Sequence, residues 1–276
     1  MISKPREERE CRRTKLPPNA QKADGVYQPA PDHDLLNSFT KWFDIVPANT
    51  PELLRDAYAL RYQVYCVENP FEDPADHPDG LETDEYDSHS VHSLLVHRER
   101  QEVAGTVRLV LPVVNGPDLE LPISSVCDRK ALEQARFPRA ATAEISRFSI
   151  SKAFRRRASD QATRAAQFGE LQQAEQQRVI PNIAFGLFRA VVEMSHQKGI
   201  THLCAVMEPS LLRLLGRFGF HFDALGPLVD YHGRRQPCHA DLDVLLTGLG
   251  LRRPDAIDLV TGRGKFWAKP ELDNVA

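Results

Sequence analysis

The run ENPFEDPADHPDGLETDEYD, residues 68–87, holds nine Asp or Glu and no Lys or Arg. A block of like charge ordinarily lies in solvent or stays disordered. Prolines at 70, 74 and 78 keep regular structure out of it. Its flanks, however, supply partners. Upstream, Thr50-Pro51-Glu52 reads as a helix start, with Thr50 as N-cap and Pro51 at the first helical position. Leu53, Ala57, Leu60 and Val64 recur at helical spacing, with Arg61 at the edge of that stripe and Tyr65 one turn on. Downstream, Val91–His97 and Val103–Leu111 read as an antiparallel hairpin whose second strand carries Arg108. Ala143–Ser149 (AEISRFS) is a further strand with Glu144 and Arg147. Buried carboxylates and guanidiniums must be paired. Glu82, Asp84 and Asp87 are therefore the acids expected to turn inward, toward Arg61, Arg108 and Arg147.

Working outward, residues 1–38 are polar and read as a mobile N-terminal arm. A domain over 39–250 follows, then a short helix and tail over 251–276. Within the domain, Lys41–Pro47 has strand character and a short helix is expected near Asp128–Gln134. The Gln/Arg/Ala-rich stretch 152–178 is either a surface helix or an insertion. Asn182–Lys198 is a helix stopped by Gly199, Thr201–Met207 a strand, Ser210–Phe218 a helix ended by Gly219, and Phe220–Ala224 the start of another strand. In Val103–Leu111, Val103, Gly105, Val107 and Leu109 are expected on one face and Arg108 on the other. This order predicts an α+β (αβα sandwich) domain with a mixed, mostly antiparallel sheet flanked by helices.

Composition excludes several classes. Among 276 residues, 42% are hydrophobic and 26% charged, with a net charge of −3, which singles out no partner. The five cysteines are odd in number and form no C-x-x-C, which argues against a disulfide framework or zinc ribbon and for a reducing compartment. Cys66 and Cys204 read as core. No secretory leader and no apolar run of membrane-spanning length stand out, so a cytoplasmic location is expected. The E-x-D-x-x-D run lacks the EF-hand pattern. His92 and His97 fall on opposite faces of one strand, so no metal is expected. No nucleic-acid recognition motif accompanies the basic residues.

The ordered set Arg61 with Tyr65, Glu82-x-Asp84-x-x-Asp87, Arg108, and Glu144-x-Ser146-Arg147-Phe148 resembles the autoinducer-synthase branch of the GNAT-fold acyltransferases. Leu212–Phe220 (LRLLGRFGF) resembles that fold's last helix and the turn after it. Tyr65 stands where the branch usually has Phe. The N-terminal arm, the 152–178 segment and Tyr231–Pro237 look more like the acyltransferases of exosortase/PEP-CTERM sorting systems and the long-chain N-acyl amino acid synthases. The resemblance implies Glu144, Phe148 and Glu82 as catalytic. It implies Arg61, Tyr65, Asp84, Asp87, Arg108, Ser146 and Arg147 as substrate-binding. The expected activity is transfer of a fatty acyl chain from acyl carrier protein to the amine of an amino acid. No cofactor is expected beyond the 4'-phosphopantetheine borne by the donor's carrier. An acyl-homoserine-lactone synthase using S-adenosylmethionine is the alternative, and a non-catalytic GNAT-like carrier- or partner-binding module is a third reading.

Aminolysis of a thioester needs a polarised carbonyl, a neutral amine and both held in line. Backbone N–H groups at an irregularity in the Glu144–Ser149 strand could polarise the carbonyl. On a regular strand Glu144 and Arg147 would face opposite ways. A shared site therefore demands a bulge between them. Glu144 is the first choice for general base, through a water; the other reading is an ion pair with Arg61 or Arg108. Lys152, Arg155, Arg156 and Arg157 would dock an acidic carrier or form a solvated basic turn. Strand Val103–Leu111, Phe185, Phe188 and Leu203–Met207 would line an acyl tunnel or simply pack the core.

Overall fold

Strand β4 (Thr142–Ile150) sits at the centre of the sheet, and its pairing decides where a site can form. In the computed structural model, residues 34–113, 121–152, 154–156 and 179–267 are described. All of them fall within one unit, residues 32–276. The expected arm over residues 1–33, Arg157, most of the 152–178 segment and the tail beyond 267 lie outside the described residues.

Helix α1 (Leu35–Trp42) runs into β1 (Phe43–Pro47), and α2 (Pro51–Tyr62) follows. Strands β2 (Ser90–His97) and β3 (Glu102–Val110) come after the acidic loop, then α3 (Arg129–Gln134) and β4. Helix α4 (Val179–Lys198), β5 (His202–Met207) and α5 (Pro209–Phe218) complete the central part. The C-terminal part adds β6 (Asp223–Ala224), β7 (Val229–Asp230), β8 (Arg234–Asp241), α6 (Leu242–Arg252) and α7 (Pro254–Thr261). The sheet order is β1-β2-β3-β4-β5-β8-β6, with β7 also on β8. Every pairing is antiparallel except β4 with β5. The expected α+β class and mostly antiparallel sheet are what the structure has.

Alternation along the strands separates two faces. Leu95, Val107, Leu109, Ala143 and Ile145 pack toward α4 in the main core. Leu94, with Ala57 of α2, belongs to a second cluster on the other face. Arg108 and Val110 share that other face, where Leu121, Ile123 and Cys204 also gather. No helix among the described residues is long and apolar enough to cross a membrane.

Three expectations need correction. Helix α1 begins at Leu35, inside the stretch expected to be a mobile arm to residue 38. Asp34 caps it by accepting from Asn37 N–H, and Leu35, Leu36 and Phe39 are buried against α4 and α7, so burial overrides the polar context. Second, the register of β2 on β3 shifts between Leu95 and Val96, opposite Ala104. This bulge sends Val103 to the α2 face rather than to the face of Gly105 and Val107. Third, β8 and α6 were not expected as elements. Pro237 makes Arg234–Asp241 read poorly as an interior strand. It is accommodated because it lies between the short ladders of β7 (to Arg234 and Arg235) and β6 (to Cys238 and His239).

Candidate active site

Helix α2 does not stop at Tyr62. It widens into a π-turn over Gln63–Glu68, closed by Asn69 N–H donating to Val64 C=O at 3.1 Å. Such turns insert one extra residue per turn and recur at functional sites. The sequence periodicity places Arg61 and Tyr65 but gives no sign of this widening. Its effect is to lay the Tyr65 ring against the Arg147 guanidinium, 5.0 Å from the ring centre. Tyr65 C=O also accepts from the N–H groups of Phe71 and Glu72, anchoring the start of the acidic loop.

The end of that loop is a short 3-10 turn, Glu85–His89, with Asp84 as its cap. Asp84 Oδ1 accepts from Tyr86 N–H, and Asp87 Oδ2 accepts from Asp84 N–H at 2.8 Å, a reciprocal capping box. The E-x-D-x-x-D spacing thus fixes local backbone while leaving carboxylate oxygens for the arginines.

Those oxygens meet all three expected arginines. Arg61 donates from Nε to Glu82 and through both terminal nitrogens to Asp87, at 2.7 and 3.1 Å. Arg108 donates to Ser146 Oγ at 2.8 Å, to Asp87 at 2.8 Å, and in a fork to Asp84. Arg147 donates to Glu82 at 2.8 Å, Asp84 at 3.2 Å and Glu72 at 3.3 Å. Planar guanidiniums suit such forks. The arginines hold Glu82 down to about 2 and Asp87 still lower, against the opposing cost of burial. His92 lies beside Asp87, with Nε2 3.4 Å from Oδ1 but out of line for a hydrogen bond. Burial pushes it down to about 4, so its imidazole is neutral at pH 7.

Arg147 reaches this network because β4 is bulged. Thr106 pairs with Ser149 and Arg108 with Ser146, so Val107 faces two residues, Arg147 and Phe148. Arg147 takes up φ +49°, a left-handed backbone rarely adopted outside glycine. The extra residue puts Arg147 on the face of Ser146 and Arg108. This is the irregularity that a shared site for Glu144 and Arg147 requires.

Glu144 is 3% exposed and, among the described residues, accepts one hydrogen bond, from Ile123 N–H at 2.7 Å. It makes no ion pair with Arg61 or Arg108, so the ion-pair reading fails. Burial is the dominant influence and pushes its carboxyl up to about 8, against the pull of the Ile123 hydrogen bond and the charges of Arg108 and Arg147. Across the strand pair lies Cys204, and β4 and β5 pair only at Thr142–Glu144. Beyond Glu144 the two strands part. From Ile145 on, the β5-facing edge of β4 has no strand partner among the described residues. Glu144 therefore stands at the apex of an opening in the sheet.

Several assigned roles change. Glu82 is pinned between Arg61 and Arg147 and holds no proton near neutral pH, so it positions the arginines rather than acting as acid or base. The Phe148 side chain packs on Phe188 of α4, ring centres 5.3 Å apart, leaving only its backbone for chemistry. Arg61 is 0% exposed and Arg108 1%, so both fix the loop and are shielded from any ligand. Arg147 and Asp84 are the members that reach the open side. Lys152 Nζ donates to Glu68 C=O at 2.8 Å and Asn69 Oδ1 at 2.7 Å, which ties the end of β4 to the loop instead of offering a docking charge. Cys66 and Cys204 are buried as expected. Tyr231, absent from the sequence-derived site, feels the charges of Arg147, Glu144, Glu72 and Asp84.

Residues 60–165, which span the whole network and Glu144, match the family model described as Acetyltransferase (GNAT) domain. The match covers less than half of the chain. The comparison with curated proteins found no match. Among solved structures, TofI in a ternary complex with an inhibitor and MTA is similar at 23% identity and TM-score 0.51, over 79% of this chain and 96% of that one. BjaI, a CoA-dependent acyl-homoserine lactone synthase, with MTA, is similar at 20% identity and TM-score 0.50, over 80% and 88%. FeeM, an N-acyl amino acid synthase from uncultured soil microbes, gives 16% identity and TM-score 0.48, over 75% and 93%. At these identities the likeness defines the fold, which is GNAT-like.

Proposed function

We propose that this protein is an N-acyltransferase that moves a fatty acyl chain from acyl carrier protein to the amine of an amino-acid-like acceptor. The β4 bulge carries the reading. It gathers Glu144, Ser146 and Arg147 on one face at the point where β4 and β5 part. The opening would admit the donor's pantetheine arm along the unpaired edge of β4. The bulge N–H groups, that of Phe148 among them, would polarise the thioester carbonyl. Ionised Glu144, directly or through one water, would take a proton from the acceptor's ammonium. The freed amine then attacks the carbonyl, the C–N bond forms, the C–S bond breaks, and the thiol leaves with a proton. A base whose proton affinity lies near the working pH suits this role. The link to an exosortase/PEP-CTERM system rests on the sequence resemblance alone.

The fold likeness to BjaI favours a second reading, an acyl-homoserine-lactone synthase with S-adenosylmethionine as acceptor. One experiment separates them. The purified protein is given acyl carrier protein loaded with a fatty acid, or the matching acyl-CoA, with the twenty amino acids and S-adenosylmethionine. Products are read by mass spectrometry. N-acyl amino acids support the first reading and acyl lactones the second. No product from either donor overturns both and leaves a binding module, whereas undiminished product from Glu144→Gln removes Glu144 as the base.

A further inference from the structure

The hairpin joining β7 to β8 projects its tip, Tyr231-His232-Gly233, over the acidic loop. His232 and Gly233 both take positive φ, +51° and +92°, and Tyr231 N–H donates to Gly233 C=O at 2.9 Å, so the tip is tightly turned. Two residues, His232 and Arg235, fasten it. The His232 ring lies 5.8 Å from Phe71, with its Nε2 3.8 Å from Glu72 Oε1. At the base of the hairpin, Arg235 stacks over Phe71 at 5.5 Å and pairs with Glu208 at 2.8 Å. Glu72 is also a partner of Arg147. The tip is thereby coupled to the open side of the network through one carboxylate.

Tyr231 packs edge-on against His232, ring centres 4.7 Å apart, and stays partly open to solvent. Burial raises its phenol pKa, and the charges around it are those of Arg147, Glu144, Glu72 and Asp84. Tyr86, across the site on the acidic loop, feels both Glu144 and Tyr231. Two phenols thus stand near the open side of the network: Tyr86 donates its N–H to Asp84, and Tyr231 is linked through the rings of His232, Phe71 and Tyr65 to Arg147. Neither hydroxyl has a described hydrogen-bond partner in the protein. A phenol is an amphipathic group with one donor and one acceptor, well suited to hold a small polar molecule at the edge of an aromatic wall.

We infer that Tyr231 is an acceptor-binding and specificity-determining residue, and that the His232–Glu72 contact holds it over the amine's position. The row of rings that runs from it through His232 and Phe71 to Tyr65 fits an acceptor that presents an apolar or aromatic side chain beside its amine. This inference rests on the N-acyltransferase reading.

The test measures thiol release from a decanoyl thioester against each of the twenty amino acids and S-adenosylmethionine, for wild type, Tyr231→Phe, Tyr231→Ala and His232→Asn. Asparagine tolerates the left-handed backbone at 232, so the last variant removes the imidazole without straining the turn. Tyr231→Ala is expected to raise the acceptor KM by about tenfold, the scale of a lost hydrogen bond plus ring contact, with the thioester KM unchanged. Tyr231→Phe and His232→Asn should give smaller shifts of the same kind. Melting curves of all variants should overlay wild type, because the tip is exposed. An unchanged acceptor KM in Tyr231→Ala, or equal shifts in both KM values, overturns the inference while leaving the reading intact. A wild type that releases no thiol with any acceptor overturns the reading, and the inference with it.

Discussion

Glu144 is a carboxyl whose proton is held by burial, up to about 8. Two consequences follow, and their signs can be worked out. As a base it acts only when ionised, so kcat/KM should rise with pH and level off above an inflection near 8. Glu144→Gln should lose about 10²–10⁴ of the rate across the whole range, the usual worth of general base catalysis. A flat profile below pH 8 would remove Glu144 from that role. For stability, the folded state keeps a proton that the unfolded chain gives up at about 4.5, so stability falls as pH rises from there to about 8. Gln keeps the acceptor for Ile123 N–H and has no proton to lose. Its stability relative to wild type should therefore grow between pH 5 and pH 8, read by urea midpoints at both pH values. Asp87 has the opposite sign. Arg61 and Arg108 both lean on it and hold it well below the carboxylate range, so its contribution is full above about 4 and lost in acid. Asp87→Ala leaves two guanidiniums short of a partner in a buried place. We expect a loss of about 3–5 kcal/mol in urea unfolding at pH 7, the scale of a broken buried pair.

At the scale of elements, the β4 bulge has a signature in backbone energetics. Arg147→Ala and Arg147→Gly lose the same ion pairs, so their difference isolates the left-handed conformation at φ +49°. In an ordinary strand the alanine variant is the more stable. Here the glycine variant should be, by about 1 kcal/mol, because only glycine avoids the steric cost of that conformation. Equal stabilities would mean the strand runs without the bulge. The need for this bulge was legible in the sequence, since Glu144 and Arg147 differ by three positions and share chemistry. So were the three arginines and the three acids, because charge that must be buried must be paired. Other features left no mark. The π-turn after Tyr62 changes no residue type that helical spacing would flag. Strand β8 reads as RRQPCHAD, with a proline and no clean alternation, and its place comes from neighbours 29 to 39 residues upstream in β5. Tyr231 entered the sequence reading only within the 231–237 resemblance, and only the fold places it, through His232, against the acidic loop. The acidic loop was read correctly as inward at three positions, whereas the accessible members turned out to be Arg147 and Asp84 rather than Arg61.

For the molecule as a whole, the remaining question is how an acidic carrier would find the opening between β4 and β5. The net charge of −3 gives no general attraction, so any steering must be local. The chain leaves β4 at Ile150 and turns helical, with Arg155 N–H donating to Ser151 C=O at 3.0 Å. Lys152 is committed to Glu68 and Asn69, which leaves Arg155 and Arg156 as the described cations there. Arg156 is exposed, and Arg155 is half-buried with its Nε unpartnered. A pair of guanidiniums beside the end of the strand that lines the opening would meet a carrier just as its pantetheine arm enters. Charge reversal at both (Arg155→Glu with Arg156→Glu) should lower kcat/KM for a carrier-borne acyl group by about tenfold at low salt. The deficit should shrink toward zero at about 1 M salt, where screening acts within about 3 Å. The same variant should use a truncated acyl-pantetheine, which has no acidic carrier, as well as wild type does. Equal loss with both donors would place the arginines in the chemistry or the fold, and no loss at low salt would remove the docking role.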